Sequence, residues 1–150
     1  MIFHPLDPTV AYVVNELDSS VSIFRWNDSS EQLVLVRVFS SIPSTFIGSN
    51  SGSEIELTHD GRFLFVSNRG HNSIARYALS PDHLELEVLG WTPVEGCTPR
   101  FIGLNLDEDE LWVTAQDSDR VQRFNVQPGT GELSLSGSYA FPSPAFVAFV

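Results

Sequence analysis

The chain has 150 residues, enough for one domain of ordinary size. It is 42% hydrophobic and 18% charged, so it can bury a core, and its net charge of −11 (eight Arg, no Lys, 19 acidic residues) excludes the basic face that a phosphate backbone needs. No apolar run reaches the roughly 18–20 residues of a membrane span, no secretory pattern opens the chain, and lone Cys97 has no internal disulfide partner, so a cytoplasmic protein without nucleic-acid or membrane partners is expected.

In chain order, short runs of β-branched, aromatic and aliphatic residues occupy 10–14, 21–26, 33–39, 62–66, 84–89 and 111–114. Ser, Asn, Asp, Gly and Pro separate them. Such side chains suit a pleated surface, and such turn residues interrupt it. No segment keeps an apolar i, i+3, i+4, i+7 pattern for three turns, so helices are not expected. The fold class is all-β.

An internal repeat narrows this to a propeller. Tyr12-Val-Val-Asn-Glu-Leu aligns with Phe65-Val-Ser-Asn-Arg-Gly and with Trp112-Val-Thr-Ala-Gln-Asp, 53 and then 47 residues apart. Each copy carries a β-branched residue nine positions after the aromatic (Val21, Ile74, Val121), then a strand ending in Phe24, Tyr77 or Phe124. A further strand opens at Leu33, Leu84 or Leu133. Four strands in about fifty residues match one blade, a four-stranded antiparallel sheet set radially about an axis. Blades are expected at about 3–50, 51–99 and 100–143. Residues 144–150 resemble the start of the third repeat (Pro99-Arg-Phe-Ile-Gly-Leu) and are expected to form a closing strand. Three blades do not close a ring, so the expectation is the C-terminal part of a larger propeller. A chain that self-associates to cover its edges is the alternative.

Positions that differ between repeats are candidates for function. After the small residue of the central turn come Glu16, Arg69 and Gln116; two positions later lie Asp18, His71 and Ser118. Glu54 and Arg100 sit at the entry to the innermost strands. In an antiparallel blade the start of the innermost strand lies beside the end of the second. Glu16, Glu54, Arg69, His71, Arg100 and Gln116 should therefore face one mouth of the channel. Carboxylates, guanidiniums and an imidazole together can bind an anion and move a proton. Ties between neighbouring blades are the competing reading for Glu54 and Arg100, and with less weight for Glu16 and Arg69; for His71 it is a turn residue hydrogen-bonded to backbone.

Other features carry less. His4, His59 and His83 lack the paired spacing of a metal site and are expected in turns or at the surface. Residues 107–110 read as a solvated charged turn, and Cys97 as a buried spacer. No phosphate loop, dinucleotide fingerprint or Gly-x-Ser-x-Gly elbow is present.

Phe3-His-Pro, Ala11-Tyr-Val-Val-Asn-Glu-Leu, Ser53-Glu-Ile, His59-Asp-Gly-Arg-Phe-Leu-Phe-Val-Ser-Asn-Arg-Gly-His, Thr98-Pro-Arg and Ala115-Gln-Asp-Ser-Asp resemble the seven-bladed lactonase propeller family. That family includes propeller-type 6-phosphogluconolactonases and fungal carboxy-cis,cis-muconate cyclases. The resemblance implies an active mouth using Glu16 and Arg69; the comparison of repeats adds His71, Arg100, Glu54 and Gln116 as expected substrate-binding residues. Ala115 replaces an Asn frequent in the family, and a Pro-Arg-His segment before Phe-His-Pro is absent. The implied reaction is hydrolysis of a sugar-acid lactone, with a small lactone or sugar phosphate as partner and no metal or organic cofactor. Glu16 would be the base that takes a proton from water, and Arg69 would stabilise the oxyanion or hold a phosphate. A muconolactone-forming isomerase and a non-catalytic truncated propeller acting as a binding module remain as alternatives.

Overall fold

A computed structural model of the chain describes residues 1–149. It contains twelve strands in three four-stranded antiparallel sheets, each a meander in chain order. The first sheet holds β1 (Ile2–Phe3), β2 (Val10–Asn15), β3 (Ser20–Asn27) and β4 (Gln32–Ser40). The second holds β5 (Ser51–Leu57), β6 (Phe63–Arg69), β7 (Ser73–Leu79) and β8 (Leu86–Pro93). The third holds β9 (Pro99–Leu104), β10 (Glu110–Ala115), β11 (Arg120–Gln127) and β12 (Glu132–Ala140). The helical element among the described residues is a single 3-10 turn, Gln116–Ser118. This is an all-β partial propeller.

Period-two alternation sends one face of each sheet to each neighbour. Val10, Tyr12, Val21 and Ile23 of the first sheet pack against Leu64, Val66, Ala75 and Tyr77 of the second. The other face of the second sheet, Phe63, Phe65 and Ile74, packs against Ile102, Leu111, Val113 and Phe124 of the third. The sheets are thus stacked side by side through two hydrophobic cores.

One clamp recurs in all three repeats. Ser19, Asn72 and Asp119 follow the central turn, each with left-handed backbone (φ 52°, 51° and 51°). Their carbonyls accept hydrogen bonds from the N–H groups of Ser41, Val94 and Phe141 at 2.8, 2.9 and 2.9 Å. Their side chains hold the entry to the next innermost strand. Ser19 Oγ accepts from Asn50 Nδ2 (2.9 Å), Asn72 Oδ1 from Thr98 N (3.1 Å) and Asp119 Oδ1 from Ser143 N (2.8 Å). Short Asn, Asp and Ser side chains suit this place because they tolerate or locally stabilise the left-handed turn.

Residues 144–149 leave the third clamp as a further innermost strand would, but they have no ladder partner among the described residues. The strand expected here is an unpaired segment because no neighbouring strand offers it backbone bonds. Phe146 lies 4.5 Å from Phe101, centroid to centroid, and Phe149 lies 6.4 Å from Trp112. Val150, the last residue of the expected strand, falls outside the described residues.

Two expectations are corrected. Cys97 is exposed, not buried: it sits in the turn before β9, and its N–H donates to Ser118 Oγ (2.8 Å). His4 is buried, not at the surface. Its Nε2 pairs with the Gly61 carbonyl (3.2 Å), its Nδ1 accepts from Leu6 N and Asp7 N, and its ring stacks on His83 at 3.7 Å. The turn that follows β1 folds the ring under the second sheet, a contact between residues 57 positions apart.

Candidate active site

Glu16 and Arg69 follow β2 and close β6, at the same end of neighbouring sheets. Gly52 N donates to the Glu16 carbonyl (2.9 Å), which stitches the end of β2 to the start of β5. Arg69 Nη2 donates to Glu16 Oε1 (3.0 Å) and to the Gly52 carbonyl (3.2 Å). Arg69 is three-quarters buried at its side chain, whereas Glu16 is 61% exposed. Among the described residues Arg69 Nη1 and Glu16 Oε2 have no partner, and buried Arg69 Nε lacks an acceptor. A free guanidinium donor therefore stands beside a free carboxylate acceptor on one rim.

The residue before each of these two is an asparagine turned inward. Asn15 Nδ2 donates to Ser20 Oγ and Ser22 Oγ. Fully buried Asn68 donates to the Ser41 carbonyl (2.7 Å) and accepts from Ser41 Oγ (2.7 Å). These bonds hold the backbone that carries Glu16 and Arg69, as a positioned site requires. Ala115 occupies the third such place and makes no side-chain bond.

Arg100 and Glu54 both sit where the ladder slips. Register shifts between Gly52 and Ile55, and again beside Arg100 where Pro99 pairs with Ala115 and Phe101 with Thr114. A bulge re-aims the side chain of its extra residue. Arg100 Nη1 donates to Gln116 Oε1 (3.2 Å), and the Arg100 carbonyl accepts from Ser53 Oγ (2.5 Å). The rim thus carries two pairs, Glu16–Arg69 and Arg100–Gln116, joined through the neighbouring residues Gly52 and Ser53. Glu54 turns its Oε1 back to the N–H of Ile55 (3.1 Å). His71 stands apart, its Nδ1 against Ser73 Oγ (2.6 Å) and its ring edge-on to Phe46 at 4.9 Å.

The sequence did not single out Gly52 or Glu56, and it marked Ser53 only as part of Ser53-Glu-Ile, without a role. Their counterparts in the other repeats share no feature that marks them. Glu56 lies on β5 two residues beyond Glu54, at the far end of the inner strands. There Phe3, Leu57, Leu104, Leu106, His59 and Glu108 line a pocket of about 310 Å³ with it. Burial, and next the Glu54 carboxylate, push the Glu56 carboxyl up to about 7. His59 pairs with Glu108 at 2.5 Å beside it. Among the described residues no group of three or more His, Cys, Asp or Glu could hold a metal ion. Nor is any helix there long and apolar enough to cross a membrane.

This rim can present an anion with two guanidiniums and water with a carboxylate. The family described as Lactonase, 7-bladed beta-propeller matches residues 1–149. An uncharacterized Lactococcus lactis protein is 38% identical over 133 residues, 89% of this chain and 39% of its own length. A Yersinia pestis 6-phosphogluconolactonase is 30% identical over 139 residues, 93% of this chain and 41% of its own. The solved periplasmic gluconolactonase of Pseudomonas aeruginosa superposes with TM-score 0.92 at 29% identity, over 99% of this chain and 41% of that one. The chain spans about 40% of the length of the curated relatives it matches. By sequence match and by blade geometry, the chain belongs to the seven-bladed β-propeller lactonase family.

Proposed function

We propose that this chain carries the Glu16–Arg69 part of a lactone hydrolase site of the 6-phosphogluconolactonase type. The observation that carries it is the unpartnered Glu16 Oε2 beside the unpartnered Arg69 Nη1, on a rim held by buried Asn68 and half-buried Asn15. Water attacks the lactone carbonyl and gives its proton to Glu16 as the new C–O bond forms. Negative charge moves to the carbonyl oxygen, where a fixed guanidinium stabilises it without reorganising. When the tetrahedral centre collapses, the ring C–O bond breaks and the proton passes to the departing alkoxide, leaving an open-chain hydroxy acid. Arg100, steadied by Gln116, supplies a second anion donor for a substrate phosphate. The relatives named 6-phosphogluconolactonase and gluconolactonase support a sugar lactone as substrate class.

The test is hydrolysis of 6-phosphogluconolactone by the chain, with Glu16→Gln as the comparison. Glu16→Gln keeps size and hydrogen bonding but cannot take a proton, so turnover should fall by about 10²–10⁴-fold while the fold persists. Activity equal to the parent, or none above the uncatalysed rate in a folded parent, refutes the assignment. In the latter case tight lactone binding without turnover identifies a binding module.

A further inference from the structure

Gly52 touches both halves of the Glu16–Arg69 pair. Its N–H donates to the Glu16 carbonyl (2.9 Å), and its carbonyl accepts from Arg69 Nη2 (3.2 Å), the same nitrogen that donates to Glu16 Oε1 (3.0 Å). One residue thus fixes the main chain that carries the carboxylate and the side chain that carries the guanidinium. Gly52 is buried and is itself held from behind. It faces fully buried Asn68 across the ladder, and in the bulge that follows it Glu54 N donates to buried Ser67 Oγ (2.9 Å). One blade further on, Pro99 is the counterpart of Gly52, since it pairs with Ala115 as Gly52 pairs with Asn68. Proline has no N–H to give to the preceding blade. The stitch belongs to the junction that carries the pair.

Space, and not backbone conformation, demands glycine here. Among the described residues seven glycines take positive φ, and Gly52 is not one of them, so an L side chain could adopt its backbone. A Cβ at this position, however, would lie 2.7 Å from Val14 Cγ2 and 3.1 Å from the Asn15 carbonyl oxygen. Neither obstacle yields easily. Val14 is β-branched, stiff at χ1, and packs against the core between the first two sheets. The Asn15 carbonyl is main chain at the end of β2. Any side chain at 52 must therefore push β5 away from β2, and both Gly52 contacts lengthen together.

We infer that Gly52 is a positioning residue of the rim: its lack of a side chain lets β5 approach β2 closely enough to hold the Arg69 guanidinium against the Glu16 carboxylate. This rests on the reading of that pair as the reacting groups of a lactone hydrolase. Gly52 acts only through Glu16 and Arg69. A guanidinium stabilises a developing oxyanion best when it is already in place, and a misplacement of about 1 Å costs on the order of 10²-fold in rate. Arg100 is steadied by Gln116, so anion binding there does not pass through Gly52.

The experiment compares the 150-residue chain with Gly52→Ala, Val14→Ala and the double variant. Two quantities are read: hydrolysis of 6-phosphogluconolactone, and the guanidinium NMR signals of Arg69, identified by their loss in Arg69→Lys. Gly52→Ala should lower kcat by about 10²-fold with KM little changed, and should merge the Arg69 Nη signals that slow rotation keeps apart in the parent. Val14→Ala alone should leave both readouts as in the parent. Added to Gly52→Ala, it removes the 2.7 Å obstacle and should recover most of the lost kcat and the separate signals. Should Gly52→Ala not fold, the double variant carries the comparison. Parental kcat per folded molecule in Gly52→Ala overturns the proposal, as does a double variant that recovers neither readout. A parent that hydrolyses no lactone refutes the reading of the rim instead. The Arg69 signals then decide, and their survival in Gly52→Ala overturns Gly52 as the residue that holds the guanidinium.

Discussion

The two hydrophobic cores use the same backbone template and treat polar groups in opposite ways. Between the first and second sheets the large rings are Tyr12 and Tyr77, and each hydroxyl donates to a carbonyl at the core's margin, His83 at 2.8 Å and Ser40 at 2.7 Å. Between the second and third sheets the corresponding rings are Phe65 and Phe124. There the polar groups sit mid-face instead: Arg76 and Gln122 stand where the first junction has Ile23 and Ala75. Gln122 donates to the Glu95 carbonyl (2.7 Å), but its Oε1 has no partner, and Arg76 Nε is likewise orphaned. A buried orphan costs about 1–3 kcal/mol, whereas a tyrosine with its tip at a carbonyl costs nothing comparable. A repeat fixes where side chains go; each junction then solves its own hydrogen-bond problem.

Truncation of a ring tests that contrast most strongly. Tyr77→Ala and Phe124→Ala should each destabilise by about 3–5 kcal/mol in denaturant titrations, since both leave a cavity in a packed core. Equal losses would show that ring volume and not the hydroxyl dominates; a loss under 1 kcal/mol at either would break the account of that core.

The junctions also differ in pH response. Beside the first core, burial holds the His4 imidazole below its usual value, and Nδ1 already accepts two backbone N–H bonds. The unfolded chain therefore binds more protons there. The His4 contribution is complete above its ordinary value of about 6.5 and is lost as pH falls below it. Glu56, on the second sheet's inner strand facing the third, has the opposite sign. Its carboxyl is raised to about 7, so the folded chain holds the proton that the unfolded chain releases. That stability is complete below the usual carboxylate value and is lost as pH rises toward 7. Glu56→Gln should leave the thermal midpoint unchanged at pH 4 and raise stability at pH 8 by on the order of 1–2 kcal/mol, after discounting for solvent. Its remaining pH profile should then show the His4 limb and, at lower pH, the acid limb of Asp7, Asp60 and Asp82, whose carboxyls are held below their usual value. A wild-type and a variant curve that coincide at pH 8 would remove Glu56 from the argument.

Smaller effects sharpen the comparison. Tyr77→Phe should cost about 1 kcal/mol, one hydrogen bond, because the Ser40 carbonyl loses its donor. Gln122→Met, of similar volume, should change stability by less than about 1 kcal/mol, since it removes an orphan and a bond together. Arg69→Lys should be smallest of all in thermal midpoint, under about 1 kcal/mol, because the Glu16 pair is a rim contact. Its effect belongs in lactone hydrolysis, where loss of the planar fork weakens anion contact. Early melting with unimpaired turnover would make Arg69 a blade-to-blade tie.

The sequence by itself determined the four-stranded repeats, their order and class, because alternation and turn chemistry act over a few residues and return with the repeat, but not that residues 144–149 would lack a ladder partner. It also marked Glu16, Arg69, Arg100 and Gln116 as departures from that repeat. Only the tertiary structure decided that these four form two pairs joined through Gly52 and Ser53, with His71 turned to Ser73 and Phe46. It alone buried His4, exposed Cys97 and perturbed Glu56. Each of those outcomes depends on neighbours supplied by another blade or another strand. A residue's period shows which face it takes, but its partner across the junction is set by how the sheets stack.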